Sequence, residues 1–298
     1  MRDRRGNSRG KRVFQQILSG LEAGSWYALL AIAIVIVMKA TDVPNFAQAQ
    51  IGMPGAFIAV NLIGQGWPSL LAMLVGIACG FVVGAVIERI AIRPLSALGH
   101  FPMLVMTIGL TYALVSIVTI VFGSEPRLFP APWGTGAFEF WGLYLPYAQL
   151  VTIGVGVVLA FVLALFFRTT WGVRMRAISE NPGVSRLLGI NSGRVSNLAW
   201  GLGAAISTLA MMLHTQGTVL ADSSADPLIL KAFVAAVLGS FTSLTGAFIG
   251  GLSIGVLENL TGMYIGTGWK EAVALVIVVV YLFVRMPYLV KKIKPREV

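Results

Sequence analysis

The sequence has little charge. Only 11% of its 298 residues are Asp, Glu, Lys or Arg, whereas soluble domains carry about 25%. Hydrophobic residues make up 57% of the chain, and the mean hydropathy is +0.83. No hydrophilic block is long enough for a separate soluble domain. The composition therefore predicts one polytopic membrane domain and excludes the class of ordinary soluble enzymes.

The sequence also lacks the residues for several kinds of chemistry. Cys79 is the only cysteine, so neither an intrachain disulfide nor a Cys-based metal site can form. No G-x-x-x-x-G-K-[ST] segment occurs, so ATP hydrolysis would have to take place on another polypeptide. His100 and His214 have no Cys, His or carboxylate neighbours at metal-ligand spacing. The sequence also contains no recognisable set of catalytic residues. We predict no metal, no cofactor and no catalytic residue on this chain.

Uncharged apolar stretches are abundant instead. A helix needs roughly 20 mostly apolar residues to cross a bilayer, and the chain supplies about eight such stretches. We predict an all-α polytopic membrane protein. A signal peptide is an alternative reading of the first stretch, but Met38-Lys39-Ala40-Thr41 at its end gives no convincing small-x-small cleavage site, and the run is long. The predicted spans are 23–40, 68–87, 102–122, 148–167, 196–216, 229–240, 246–265 and 271–290.

Two apolar segments are short and interrupted by glycine. Segment 51–64 contains three glycines and a proline, and segment 229–240 has Lys231 near its start. They stand in corresponding places of the two halves, and Gly55-Ala56-Phe57-Ile58 matches Gly246-Ala247-Phe248-Ile249. Paired broken helices are the best sequence indication of a transport site near the membrane midplane. The pattern predicts two pseudo-repeated halves with broken or re-entrant segments.

The basic residues predict the topology. Most of the 22 Lys and Arg lie in three clusters, at 2–12, 168–194 and 285–296, and clusters in loops are typical of cytoplasmic segments rather than of a nucleic-acid surface. All clusters reach one side only if 51–64 is re-entrant or broken. We therefore expect cytoplasmic tails at 1–13 and 291–298, with a membrane domain at 14–290 between them.

The loop 168–195 has the pattern of a short, capped helix. Asn181 suits the N-cap, Pro182 the first helical position and Gly189 the C′ position. The apolar residues between them would form one face that could dock into a partner's groove. A basic loop lying on anionic headgroups is the alternative. The apolar face consists of Val184, Leu187 and Leu188.

Glu258 is an ionisable residue inside an apolar stretch. Such residues are functional candidates by default. The alternative is a structural position, at an interface or in a pair, and Lys231 could be its partner.

Several motifs together resemble one family. The sequence is similar to the membrane permeases of ATP-binding-cassette importers for branched-chain amino acids, specifically the H-type subunit. The resemblance covers roughly residues 14–290 and is most specific in 168–191. The matching stretches are 24–29, 45–47, 88–89, 93–95, 107–110, 168–191, 231–233 and 246–251.

The resemblance implies partners and a location. It implies a second homologous permease, two ATP-binding subunits that use ATP and Mg, and an extracytoplasmic substrate-binding protein. The complex would lie in the inner or plasma membrane of a prokaryote. The loop 168–195 would be the coupling loop to the ATPase. Its expected coupling residues are Arg174, Arg176, Asn181, Pro182, Val184, Leu187, Leu188 and Gly189.

One departure bears on the solute. Where the family typically continues Asn-Phe-Ala with His-Gly-Glu, this chain has Gln48-Ala49-Gln50. We expect a permease for branched-chain amino acids, with urea, short-chain amides or other amino acids as alternatives. A passive amide channel and an ion-coupled transporter are weaker readings, and an intramembrane enzyme is the weakest. The predicted substrate path contains Asn45, Phe46, Gln48, Gln50, Gly55, Lys231, Gly246 and Glu258.

Overall fold

The computed structural model describes residues 3–140 and 143–293, and these residues form a helical bundle. Positions 1–2 and 294–298 of the two predicted tails lie outside the described residues. Seven of the described helices are long and apolar enough to cross a membrane. The helices are α1 (Asp3–Thr41), α2 (Gln48–Ile51), α3 (Met53–Gly64), α4 (Ser69–Ile87), α5 (Arg93–Leu95), α6 (His100–Phe122), α7 (Tyr147–Phe166), α8 (Thr170–Glu180), α9 (Pro182–Leu187), α10 (Ser192–Thr215), α11 (Asp226–Leu238), α12 (Leu244–Tyr264) and α13 (Lys270–Ile293).

The bundle has two ends of different character. At one end, which we call the hairpin end, β2 (Ala137–Phe140) pairs antiparallel with β3 (Leu143–Pro146) in the connection between α6 and α7. β1 (Arg127–Leu128) pairs there with β4 (Val219–Leu220). At the other end, which we call the basic end, lie the α5 connection and helices α8 and α9.

The direction of α1 corrects the predicted topology. Gln15 Nε2 donates to the Tyr144 carbonyl at 2.6 Å, which places the beginning of α1 at the hairpin end. Asp42, just after α1, has its Oδ2 3.4 Å from His100 Nε2 at the basic end. The expectation that the N-terminal segment and the loop 168–195 share one side is therefore wrong.

Segment 51–64 crosses the bundle, which corrects the re-entrant reading. The chain leaves the basic end after Asp42, and Asn61 Oδ1 accepts from Arg127 Nη1 at 3.0 Å at the hairpin end. Because α1 runs opposite to the predicted direction, this crossing still returns α4 to the basic end. A broken segment can cross with few residues because its freed backbone lies inside protein.

The predicted span 229–240 is too short to cross a membrane as a single helix. It corresponds to α11, a helix of 13 residues that is not among the seven helices of spanning length. A 3₁₀ turn, Asp222–Ala225, precedes α11, and Thr119 near the end of α6 bonds Asp222 at the hairpin end. The turn and α11 together connect the two ends. In the described residues, seven long helices and two broken segments thus cross the bundle.

The two predicted halves are present and are inverted relative to each other. Helices α1, α2–α3 and α4 run in directions opposite to α10, α11 and α12, and α1 packs along α12 as α10 packs along α4. The matched tetrapeptides do not correspond: Gly55 lies inside α3, whereas Gly246 lies in the first turn of α12. The corresponding elements are the short helices α3 and α11, each with a proline in its first turn.

Small residues set the two main helix contacts. A Cβ on Gly24 of α1 would lie 2.6 Å from the Cα of Leu252 on α12. A Cβ on Gly80 of α4 would collide with Thr208 Oγ1 on α10. Close approach of backbones is how membrane helices gain packing energy, since lipid supplies no hydrophobic drive between them.

Candidate functional site

The two broken segments meet inside the bundle. Helices α3 and α11 run toward opposite ends, and at about 1.5 Å per residue each is only about 18–20 Å long. Each therefore begins well inside a hydrocarbon core about 30 Å thick. The two N-terminal ends are consequently close together, away from both faces of the bundle. We call this region the central site.

Neutral amides hold the first broken segment. Asn45 Nδ2 donates to Gln48 Oε1 at 2.9 Å, and Gln48 Nε2 donates to Ser207 Oγ on α10 at 2.8 Å. Asn45 Oδ1 also accepts from the Ala47 backbone at 3.0 Å. All three polar side chains are completely buried. They fix α2 against α10 without any formal charge.

Two contacts join the broken segments to each other. Gln50 Nε2 donates to Asp226 Oδ1 at 2.8 Å, so α2 touches the first residue of α11. Phe46 stacks on Phe233 with ring centroids 4.6 Å apart. Phe46 and Asp226 remain exposed, whereas Gln50 is buried. This part of the central site therefore has both a polar and an aromatic surface.

Lys231 and Glu258 form the ion pair that the sequence suggested. Lys231 Nζ lies 2.6 Å from Glu258 Oε1, and both side chains are about nine-tenths buried. Tyr27 on α1 donates to Glu258 Oε2 at 2.8 Å, and its ring lies 5.3 Å from the ammonium. The pair consequently ties α11 to both α1 and α12. It is packed between these helices and is not a free charge in a path.

Two residues of the predicted path lie outside the central site. Gly55 of α3 packs on α4, where a Cβ would meet the Gly76 carbonyl at 2.5 Å. Gly246 lies in the first turn of α12, where its backbone N–H donates to the Oγ of the N-cap residue Ser243. The structure therefore brings together Asn45, Phe46, Gln48 and Gln50 at the central site, with Lys231 and Glu258 as a separate network.

The short helix in the loop 168–195 forms as predicted. Asn181 Oδ1 accepts from the Val184 backbone at 3.0 Å, Pro182 opens α9, and Gly189 has a φ of +76°. Val184, Leu187 and Leu188 are 48%, 88% and 73% exposed. At the basic end the chain thus presents a capped helix with an uncovered apolar face.

Helix α8 precedes α9, and the sequence patterns did not single it out. Arg174 lies over the Trp171 ring at 5.2 Å, and Arg176 donates to the Phe167 carbonyl at 2.7 Å. Arg176 therefore ties α8 to the end of α7, whereas Arg174 contacts an aromatic ring of its own helix. An i, i+3 cation–aromatic spacing was the available signal for this helix.

A second missed feature is a charged network at the basic end. The α4 helix continues into a π-helical turn, Glu88–Ile92, and Arg93 donates to both carboxylate oxygens of the buried Glu88. Arg93 also donates to the Gly193 carbonyl at 2.7 Å, and Asn197 donates to Glu88 at 2.9 Å. Spacing alone gave no indication of Gly193 or Asn197, because they follow in sequence by about a hundred residues.

Comparison with known proteins gives a consistent set of relatives. A family model described as "Branched-chain amino acid transport system / permease component" matches residues 16–283. The chain is 34% identical to the high-affinity branched-chain amino acid transport system permease protein BraD of Pseudomonas aeruginosa, over 91% of this chain and 93% of that protein. It is 32% identical to the corresponding permease protein LivH of Escherichia coli K12, over 91% and 92%.

More distant similarities agree on the fold. The ribose import permease protein RbsC of Escherichia coli K12 is 23% identical over 80% of this chain and 75% of its own. An inward-facing solved structure, described as that of a metal-chelate type ABC transporter, aligns with a TM-score of 0.52 at 14% identity. That alignment covers 91% of this chain and 84% of the other, and it shows the same helical membrane fold.

Proposed function

Because this chain belongs to the family of branched-chain amino acid permease components, we propose that it forms half of the path for a branched-chain amino acid in an ATP-driven importer. It is a transport component of a membrane complex, and ATPase activity belongs to partner subunits. The solute would pass the central site, where the two broken segments expose polar groups inside the bundle. Half-helix ends of this kind commonly hold substrates in transporters.

We base the orientation on the loops at the basic end. Arg93 and the arginines of 168–194 lie together there, and loops rich in Lys and Arg stay cytoplasmic. Tyr281 of α13 lies 3.3 Å from Ser240 at the turn before α12, so α13 runs toward this end. We place the basic end in the cytoplasm and the hairpin end outside. The hairpin end would then meet an external substrate-binding protein.

The main support for this proposal is the exposed apolar face of α9. A helix of six residues has little stability alone in water, yet α9 is fixed by its Asn181 cap and leaves Leu187 and Leu188 uncovered. Such a face in a cytoplasmic loop suits insertion into a groove of an ATP-binding subunit. Two such subunits would use ATP and Mg, one on this chain and one on a second homologous permease. Their closure would move α9 and, through it, the helices around the central site.

The test is co-purification of the assembled importer. The double variant Leu187→Asp, Leu188→Asp should insert normally but lose the ATP-binding subunit, since two carboxylates cannot enter an apolar groove without a large desolvation cost. We expect at least a tenfold loss of co-purified ATPase. The matched control is Leu128→Asp with Val219→Asp, two exposed apolar residues paired across β1 and β4 at the hairpin end.

The control should retain the ATP-binding subunit. Full retention by the α9 variant would overturn the coupling role. Rapid leucine uptake by the unpartnered chain in liposomes without ATP would instead favour a passive channel.

A further inference from the structure

We propose that the surface formed by Asp226, Gln50, Phe46 and Leu230 binds the amino acid during passage, with Asp226 accepting its ammonium group. This inference rests on the proposed function and names the groups that would recognise the substrate. It commits to a solute with a cationic amino group and a branched apolar side chain, and it disfavours urea and neutral amides.

Asp226 forms no ion pair with a basic side chain within the described part of the chain. The ion pairs formed there involve Glu88, Asp42 and Glu258, and Asp226 has no Lys, Arg or His within 4.0 Å. Its side chain is exposed although it lies at the start of α11, inside the bundle. A carboxylate facing hydrocarbon is costly, so ionisable residues at this depth face water or a partner group. A translocated ammonium would supply that partner.

Gln50 orients this carboxylate from the other broken segment. Its Nε2 donates to Asp226 Oδ1 at 2.8 Å, and the amide itself is 96% buried and so cannot easily turn away. The second carboxylate oxygen, Oδ2, forms no hydrogen bond within the described residues. Asp226 is therefore held by one oxygen and free to accept with the other. The ammonium of an amino acid is a donor of the required charge.

An apolar surface continues from the carboxylate along the same faces. Asp226, Leu230 and Phe233 stand at i, i+4 and i+7 on α11, so they share one side of that helix. Phe46, four residues before Gln50, stacks on Phe233. Leu230 is 47% exposed and Phe46 37% exposed, so both can contact a ligand.

The distances suit an amino acid. From Asp226 to Leu230 the rise along the helix is about 6 Å, comparable to the distance from the ammonium group of leucine to its methyl groups. A molecule bound with its ammonium on Asp226 would therefore place its branched side chain against Leu230 and Phe46.

The other carboxylates in this region differ from Asp226 in pairing or in position. Glu258 is paired with Lys231 and buried. Asp222 accepts from Thr119 at 3.3 Å near the hairpin end and lies outside the contact between the two broken segments. Asp222 therefore provides a matched control four residues from Asp226.

The experiment is ATP-driven uptake of radiolabelled leucine by the complete importer in proteoliposomes. Asp226→Asn preserves the acceptor for Gln50 but removes the charge, and it should lower the maximal rate of uptake at least tenfold. Asp226→Glu should restore a substantial part of that rate. Asp222→Asn should stay within twofold of the unchanged protein. Retention of the ATP-binding subunit on co-purification shows that each variant is assembled.

Each result separates this inference from the proposed function. ATP-driven leucine uptake that Asp226→Asn leaves unchanged would overturn the ammonium site and keep the permease assignment. Absence of leucine uptake by the unchanged importer would instead overturn the proposed function. Loss of the second permease on Asp226→Asn would show that the carboxylate pairs with a partner subunit, and would also overturn the substrate site.

A labelling measurement tests access directly. With Cys79 replaced by Ala, Asp226→Cys provides a single thiol at the site. A water-soluble cationic methanethiosulfonate reagent should modify this thiol in the assembled importer, because the proposed path is open to water at this position. A thiol that does not react in the assembled importer would contradict an open path at Asp226.

Discussion

The two inverted halves solve the same structural problem with different chemistry. In each half a broken segment is held against neighbouring long helices. Neutral side chains hold α2, through Gln48 and Ser207, whereas the ion pair Lys231–Glu258 with Tyr27 holds α11. The architecture is thus repeated, but the interactions are not.

The difference shows where tolerance to substitution is expected. A neutral hydrogen bond that loses one partner leaves an unsatisfied dipole, whereas an ion pair that loses one partner leaves a buried charge. The second half should therefore be the more fragile half when a single residue changes. It should also be the half that a paired substitution can rescue.

The largest effect is expected from breaking the ion pair. Lys231→Met leaves the buried Glu258 carboxylate uncompensated and should destabilise the protein by about 3–5 kcal/mol. Thermal unfolding in detergent, followed by size-exclusion chromatography, measures the loss. The double variant Lys231→Met, Glu258→Met should recover more than half of it. A double variant as unstable as the single one would show that the pair is not the source of the effect.

The helix contacts allow a second comparison of the halves. Gly24→Ala would drive a Cβ against the Leu252 backbone, which cannot rotate away, and should cost toward the upper end of about 1–3 kcal/mol. Gly80→Ala meets the Thr208 side chain first, which can change rotamer, so its cost should be smaller. The same thermal measurement ranks them. Equal costs would mean that the contacts between α1 and α12 and between α4 and α10 relax equally.

The smallest effect is expected in the amide network. Ser207→Ala removes the acceptor of Gln48 Nε2 and should cost toward the lower end of about 1–3 kcal/mol. Ser207→Thr keeps a hydroxyl and serves as the control. A cost for Ser207→Ala as large as that for Lys231→Met would contradict the proposed difference between the halves.

Much of the fold could be predicted because the bilayer imposes it. Seven of the eight predicted spans correspond to long helices, since an uncharged stretch of that length must cross. The cap of α9 was also predictable, because Asn181, Pro182 and Gly189 act through local backbone geometry. The Lys231–Glu258 pair followed from the high cost of an unpaired charge at that depth.

The topology could not be predicted in the same way. Assigning the basic residues before Phe14 to the same side as loop 168–195 fixed α1 in the wrong direction, and segment 51–64 then had to be re-entrant. The direction of α1 and the re-entrant interpretation of 51–64 were therefore wrong together. Once α1 is reversed, one more crossing is needed to bring α4 back to the basic end. Contacts between distant segments, namely Gln15 with Tyr144 and Asn61 with Arg127, establish the topology. Sequence periodicity carries no information on such contacts.

Arg93 has a mechanical consequence. Its guanidinium grips the carboxylate of Glu88 in the π-helical turn after α4 and the Gly193 carbonyl in the first turn of α10. Arg93 therefore joins the end of α4 to the beginning of α10. A displacement of the segment that leads into α10 should move the end of α4 in the same direction.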